Sequence, residues 1–116
     1  DMKVIDKQLF GDTFQYFDKE IVAEIIDIFL NEYSDRLISI KESIDKVDFA
    51  NLKFQAHSLK GVVANFSAPQ VFEVAKTMEM RGTNEENIDL VKDFEELSRL
   101  TLLLADELKE MKQDYI

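Results

Sequence analysis

His57 is the only histidine of a 116-residue chain that has no cysteine. It lies in the run Phe54-Gln55-Ala56-His57-Ser58-Leu59-Lys60-Gly61. A neutral imidazole is a competent nucleophile near physiological pH, and a nearby ammonium can stabilise negative charge that develops on an incoming group. Lys53 and Lys60 both fall within about a turn of His57 if the run is helical. Small residues at Gly61 and Ala64 leave room beside it. Gly61 is the odder choice, because glycine inside a helix costs about 1 kcal/mol relative to alanine. Phosphorylation on a ring nitrogen is the chemistry this set could support.

The composition removes many alternatives. Without cysteine there are no disulfides, thiolate metal sites or thiol catalysis, which suits a reducing compartment. A formal net charge of −10, from 14 Lys+Arg against 24 Asp+Glu, opposes binding to phosphate backbones and anionic lipid surfaces. Phosphate chemistry would therefore depend on a local cluster of positive charge. No apolar run is long enough to span a membrane, and no start resembles a signal peptide. One histidine cannot supply the paired Glu-x-x-His of a di-iron bundle. No EF-hand run, glycine-rich phosphate loop or Gly-x-Ser-x-Gly elbow is present. With no recognisable nucleotide site, a complete histidine kinase is disfavoured. No metal ligand set is expected, and the many carboxylates read as solvated helix faces.

The elements that must carry His57 are helices. Three glycines and one proline, Pro69, leave little punctuation for a many-stranded sheet, and 46% hydrophobic residues can bury a core at this length. A short N-terminal helix and connector are expected over residues 4–17, with Phe10, Phe14 and Phe17 packed beneath that segment. From Asp18 as N-cap, a long amphipathic helix is read through Ile21, Ile25, Ile28, Phe29, Tyr33, Leu37, Ile40, Ile44 and Val47, with a kink near 31–34. Asp48 caps a second helix over 49–66, burying Leu52, Ala56, Leu59, Val63 and Phe66. Ser67-Ala68-Pro69-Gln70 has the pattern of a capping box, opening a third helix that carries Val71, Val74, Ala75 and Met78 inward and stops at Gly82. Thr83-Asn84-Glu85-Glu86 offers the cap of a last helix marked by Ile88, Val91, Phe94, Leu97, Thr101, Leu104, Leu108 and Met111. The expected fold is all-α, an antiparallel four-helix bundle with a short extra N-terminal helix. One domain over 1–116 is expected, since no linker or repeat divides it.

At about 100° per residue, His57 lies roughly 140° from the stripe of Leu52, Ala56 and Val63. It faces outward, with Lys53, Lys60, Gly61 and Ala64 on the same face and Ala50 and Phe54 flanking it.

The run from Ala56 to Gly61, continued by Val62-Val63-Ala64-Asn65-Phe66-Ser67-Ala68, resembles the His-x-Leu-Lys-Gly signature of histidine-containing phosphotransfer (HPt) domains. The likeness extends to Phe29-Leu30 and Arg36-Leu37 on the preceding helix, the start at Asp48, and Met78-Glu79. It implies that His57 accepts a phosphoryl group, Lys60 assists it, and Gly61 keeps the approach open. It places Glu79 where the family often has a polar residue near the histidine. Glu79 falls on the shoulder of its helix's apolar stripe, and is expected to accept a hydrogen bond from one ring nitrogen and leave the other free. Two positions depart from the pattern: Ser67 where glycine is usual, explained here as an N-cap, and Val62 where a small residue is usual, turned partly to the core. Docking is expected on Ala50, Lys53, Phe54, Gly61 and Ala64.

The resemblance also implies response-regulator receiver domains as partners, with a histidine kinase as another. It assigns Mg²⁺ to the partner receiver and no cofactor to this chain. Cytoplasmic residence is expected, either free-standing or as the cytoplasmic end of a membrane-anchored hybrid sensor kinase. The opening Asp1-Met2 fits either an excised piece of a longer protein or a remnant of cloning. The alternative reading is a helical interaction module that binds signalling partners without transferring phosphate.

Overall fold

A computed structural model describes residues 3–116. Residues 1–2, on which the expected origin as an excised piece rested, lie outside the described residues. Five α-helices follow in order: α1 (Lys7–Thr13), α2 (Lys19–Asp45), α3 (Phe49–Val63), α4 (Pro69–Thr83) and α5 (Leu90–Lys112). A 3₁₀ turn, Ala64–Phe66, extends α3, and another, Gln113–Tyr115, ends α5. The bundle is formed by α2 to α5, with α2 and α4 each packed between α3 and α5. α1 folds across one end, against the 3₁₀ turn that follows α3. The molecule measures 42 × 22 × 20 Å, its long axis set by the 27 residues of α2 at about 1.5 Å each.

The core follows from helical spacing. Val22, Ile26, Phe29, Leu37, Ile40 and Ile44 of α2 are buried, as are Leu52, Ala56, Leu59 and Val63 of α3. Phe10 and Phe29 both pack on Phe66, with ring centroids 6.4 and 5.3 Å from it. Each such fully buried side chain contributes about 1.5–3 kcal/mol. Asp48 caps α3, accepting from Asn51 N at 3.1 Å, and Asp6 caps α1, accepting from Leu9 N at 3.0 Å.

Several expectations are corrected. α2 runs unbroken through 31–34, having neither proline nor glycine to kink it. Ile21 and Ile28 are exposed, because Val22 and Ile26 form an equally apolar stripe one position on and the packing selects that one, while Val47 lies past the end of α2, with φ 52°, and is exposed there. Phe10 and Phe14 are buried, while Phe17 is half-exposed with its ring edge against Phe14. Ser67 is not an N-cap; Ala68 precedes α4, with no side-chain cap bond. Ser67 instead has φ 56° and ψ 49°, the left-handed conformation that favours glycine. α5 begins at Leu90 rather than near residue 84, leaving Ile88 in the connection and both Ile88 and Val91 exposed. Arg81 spans that connection, with Nη1 3.4 Å from Glu86 and Nε 3.6 Å from Asp93.

Gly82 does not end α4, which continues to Thr83. It is buried where α4 crosses the start of α3, and a Cβ there would lie 2.7 Å from Lys53 N and 2.9 Å from Phe49 O. A glycine at this point lets the two backbones touch.

Candidate functional site

The close crossing of α3 and α4 brings the outer face of α3 within reach of α4. His57 is the most exposed of three interacting side chains, at 67%, while Lys60 and Glu79 are largely shielded at 22% and 17%. Glu79, one residue past the buried Met78, projects from the shoulder of α4 toward α3. Its Oε2 is 2.7 Å from His57 Nδ1, and its Oε1 is 2.5 Å from Lys60 Nζ. One carboxylate therefore meets two groups that stand one turn apart on α3.

The charges support one another. The hydrogen bond from Lys60, followed by that from His57, holds the Glu79 carboxyl below its ordinary value, outweighing the opposing effect of partial burial. An ionised carboxylate can only accept, so Nδ1 carries the proton of a neutral ring and donates it to Glu79. Nε2 is then left with its lone pair, on a side chain that is two-thirds exposed. Lys60 Nζ also lies 6.0 Å from the centroid of the Phe72 ring on α4.

The remaining residues of the predicted set share this face. Ala50, Lys53, Phe54, Gly61 and Ala64 are all exposed, Phe54 to 67%. A Cβ on Gly61 would meet nothing within 4 Å. The space beside the ring is open solvent, so Gly61 is not needed for internal packing. Val62 packs partly against the core. Lys60 is directed toward Glu79 rather than out beside Nε2. Ser58, on the flank of α3 that faces α2, accepts from Arg36 Nη1 at 2.5 Å. Sequence reasoning did not single out this contact. Among the described residues no cluster of three or more His, Asp or Glu side chains could hold a metal ion, and no helix is long and apolar enough to cross a membrane.

No curated protein matches the chain in sequence. In structure it is similar to histidine-containing phosphotransfer protein B (HptB) from Pseudomonas aeruginosa PAO1, with a TM-score of 0.90 over 100% of both chains at 20% identity, a likeness of fold. The Hpt domain family matches residues 24–114, which hold α3, α4 and the whole His57–Glu79–Lys60 set. With four-fifths of its length under that match, the chain is a member of the Hpt domain family, whose members act in two-component phosphorelays.

Proposed function

We propose that His57 is the phosphoacceptor of a phosphorelay intermediate that takes a phosphoryl group from one receiver domain and passes it to another. The observation that carries this reading is the 2.7 Å contact between His57 Nδ1 and Glu79, which leaves Nε2 as the free nitrogen on an open face.

Nε2 attacks phosphorus of the receiver's aspartyl phosphate in line with the leaving oxygen. The N–P bond forms as the P–O bond to the aspartate breaks, and the electron pair returns to the aspartate carboxylate. The ring, still protonated at Nδ1, acquires positive charge, which the Glu79 carboxylate neutralises. Lys60 serves the transferred phosphoryl oxygens by leaving Glu79 as that charge develops. In the second transfer an aspartate oxygen attacks phosphorus and the N–P electron pair returns to Nε2. Positioning and charge stabilisation account for most of the chemistry. Mg²⁺ belongs to the receiver's acidic pocket in this reading, and the chain contributes no cofactor.

Docking uses Ala50, Lys53, Phe54, Gly61 and Ala64 around the ring, a small exposed patch fitted to a transient partner. The test compares donors. A phosphorylated receiver domain is expected to place acid-labile, alkali-stable label on the wild-type chain and none on His57→Gln. Label arising only with ATP and a kinase domain would replace the receiver with a kinase as donor. Binding without label would leave a non-catalytic interaction module.

A further inference from the structure

Far from His57 along the sequence, a second carboxylate holds the N-terminal arm. Glu107, in the last third of α5, is only 8% exposed. Its Oε1 accepts from Val4 N at 3.1 Å and Ile5 N at 3.0 Å, and its Oε2 accepts from Lys3 N at 3.0 Å and Val4 N at 3.1 Å. Three consecutive backbone N–H groups thus wrap one buried carboxylate, an arrangement in which charge-assisted hydrogen bonds are strong and loss of the acceptor leaves the donors unpaired.

The arm continues from this clamp to the site. Val4 and Ile5 are buried, Asp6 N donates to Ser67 O at 2.8 Å, and Asp6 then caps α1. α1 presents Leu9, which is half-exposed, as one wall of an apolar groove of about 270 Å³. Pro69 and Phe72 of α4 and Ala64, just past α3, line the rest. The groove is continuous with the histidine face. Ala64 stands two turns beyond His57 on the same outer face, and the Phe72 ring lies beside Lys60.

We infer that Glu107 is a positioning residue for partner docking: by clamping Lys3–Ile5 to α5 it fixes α1, and with it Leu9, as a wall of the groove that receives an apolar edge of the receiver domain. The occupant follows from continuity, because a receiver whose aspartyl phosphate reaches Nε2 must also cover the face that includes Ala64. This inference rests on the phosphorelay reading for the identity of the partner. The clamp acts on docking and leaves the His57–Glu79 pair, on the α3–α4 edge, unchanged.

The test uses the full chain with two variants, Glu107→Gln and Leu9→Ala, and the receiver domain of the labelling experiment. In Glu107→Gln one accepting oxygen becomes an amide donor facing N–H groups. Amide exchange of residues 3–5 and of α1 is expected to accelerate, and the receiver's Kd and the KM for transfer to rise about tenfold, the scale of one lost interface contact. kcat at saturating phosphoreceiver is expected to stay within about twofold, a split that a general loss of stability would not give. Leu9→Ala removes the wall without touching the clamp, and is expected to weaken binding several-fold while the arm amides stay protected. The inference is overturned if either variant binds the receiver as the wild type does, or if kcat and KM change together in Glu107→Gln. Should the wild type bind the receiver yet never take label, the phosphorelay reading fails, and the Kd values still decide the role of Glu107.

Discussion

Two edges of the bundle each depend on one carboxylate, and they use it in opposite ways. At the α3–α4 edge Glu79 is held by side chains, the imidazole of His57 and the ammonium of Lys60, both of which can rotate or be replaced by another partner. At the junction of the arm with α5, Glu107 is held by three backbone N–H groups that have no other conformation available while the arm is folded. Partners that can exchange suit a step in which charge appears and disappears; fixed partners suit a scaffold. The same functional group is therefore placed on exchangeable partners at one edge and on fixed ones at the other.

The contrast breaks most readily at Glu79. Replacing it with alanine is expected to slow phosphoryl transfer from a receiver about 10- to 100-fold, by analogy with metal-bound histidines that lose the partner orienting the ring. Urea unfolding should change less than the rate: the contact with the exposed His57 contributes at most about 1 kcal/mol, and the more shielded contact with Lys60 about 1–2 kcal/mol. A large loss of stability without a loss of rate would reverse the assignment.

Gly82→Ala tests whether the α3–α4 edge needs its close backbone approach. The new Cβ would meet Lys53 N, Lys53 Cα and Phe49 O within 2.9 Å, and backbone atoms cannot rotate away as a side chain can. A cost of about 1–3 kcal/mol is expected in denaturant titration. Slower transfer should accompany it as Glu79 moves away from His57. At the other edge, Ser67→Gly is expected to stabilise the protein by about 1 kcal/mol, because glycine relieves the left-handed backbone that Ser67 adopts where it receives Asp6 N. Thermal unfolding measures it.

The smallest effect is in pH. Lys60 and His57 depress the Glu79 carboxyl, so the stability it contributes is complete above its ordinary value of 4.5 and is lost as pH falls through the depressed value. Carboxyl ¹³C resonances should therefore report Glu79 titrating below that value in the wild type and closer to it in Lys60→Met. No difference between the two would remove Lys60 as the dominant partner.

Much of the site could be read from the chain because it depends on local geometry. The angle of His57 relative to Leu52 and Ala56, and the shoulder position of Glu79 beside Met78, follow from 3.6-residue periodicity alone. The phase of α2 did not follow, since Ile21-Val22-Ala23 and Ile25-Ile26 offer two apolar stripes and only neighbouring helices choose between them. Gly82 and Ser67 mislead because a packing glycine looks like a terminator, and a left-handed serine two residues before proline looks like a cap. Glu107 gave no signal. Its partners lie more than 100 residues away, and within Asp106-Glu107-Leu108-Lys109 it is one more acidic residue of an acidic chain.

The most direct test is to phosphorylate ¹⁵N-histidine-labelled protein with a phosphorylated receiver domain and record which nitrogen of His57 couples to ³¹P. The account predicts phosphorus on Nε2, with Nδ1 still protonated and hydrogen-bonded to Glu79. Phosphorus on Nδ1, or no phosphohistidine while the receiver's phosphate is lost only to water, would contradict it.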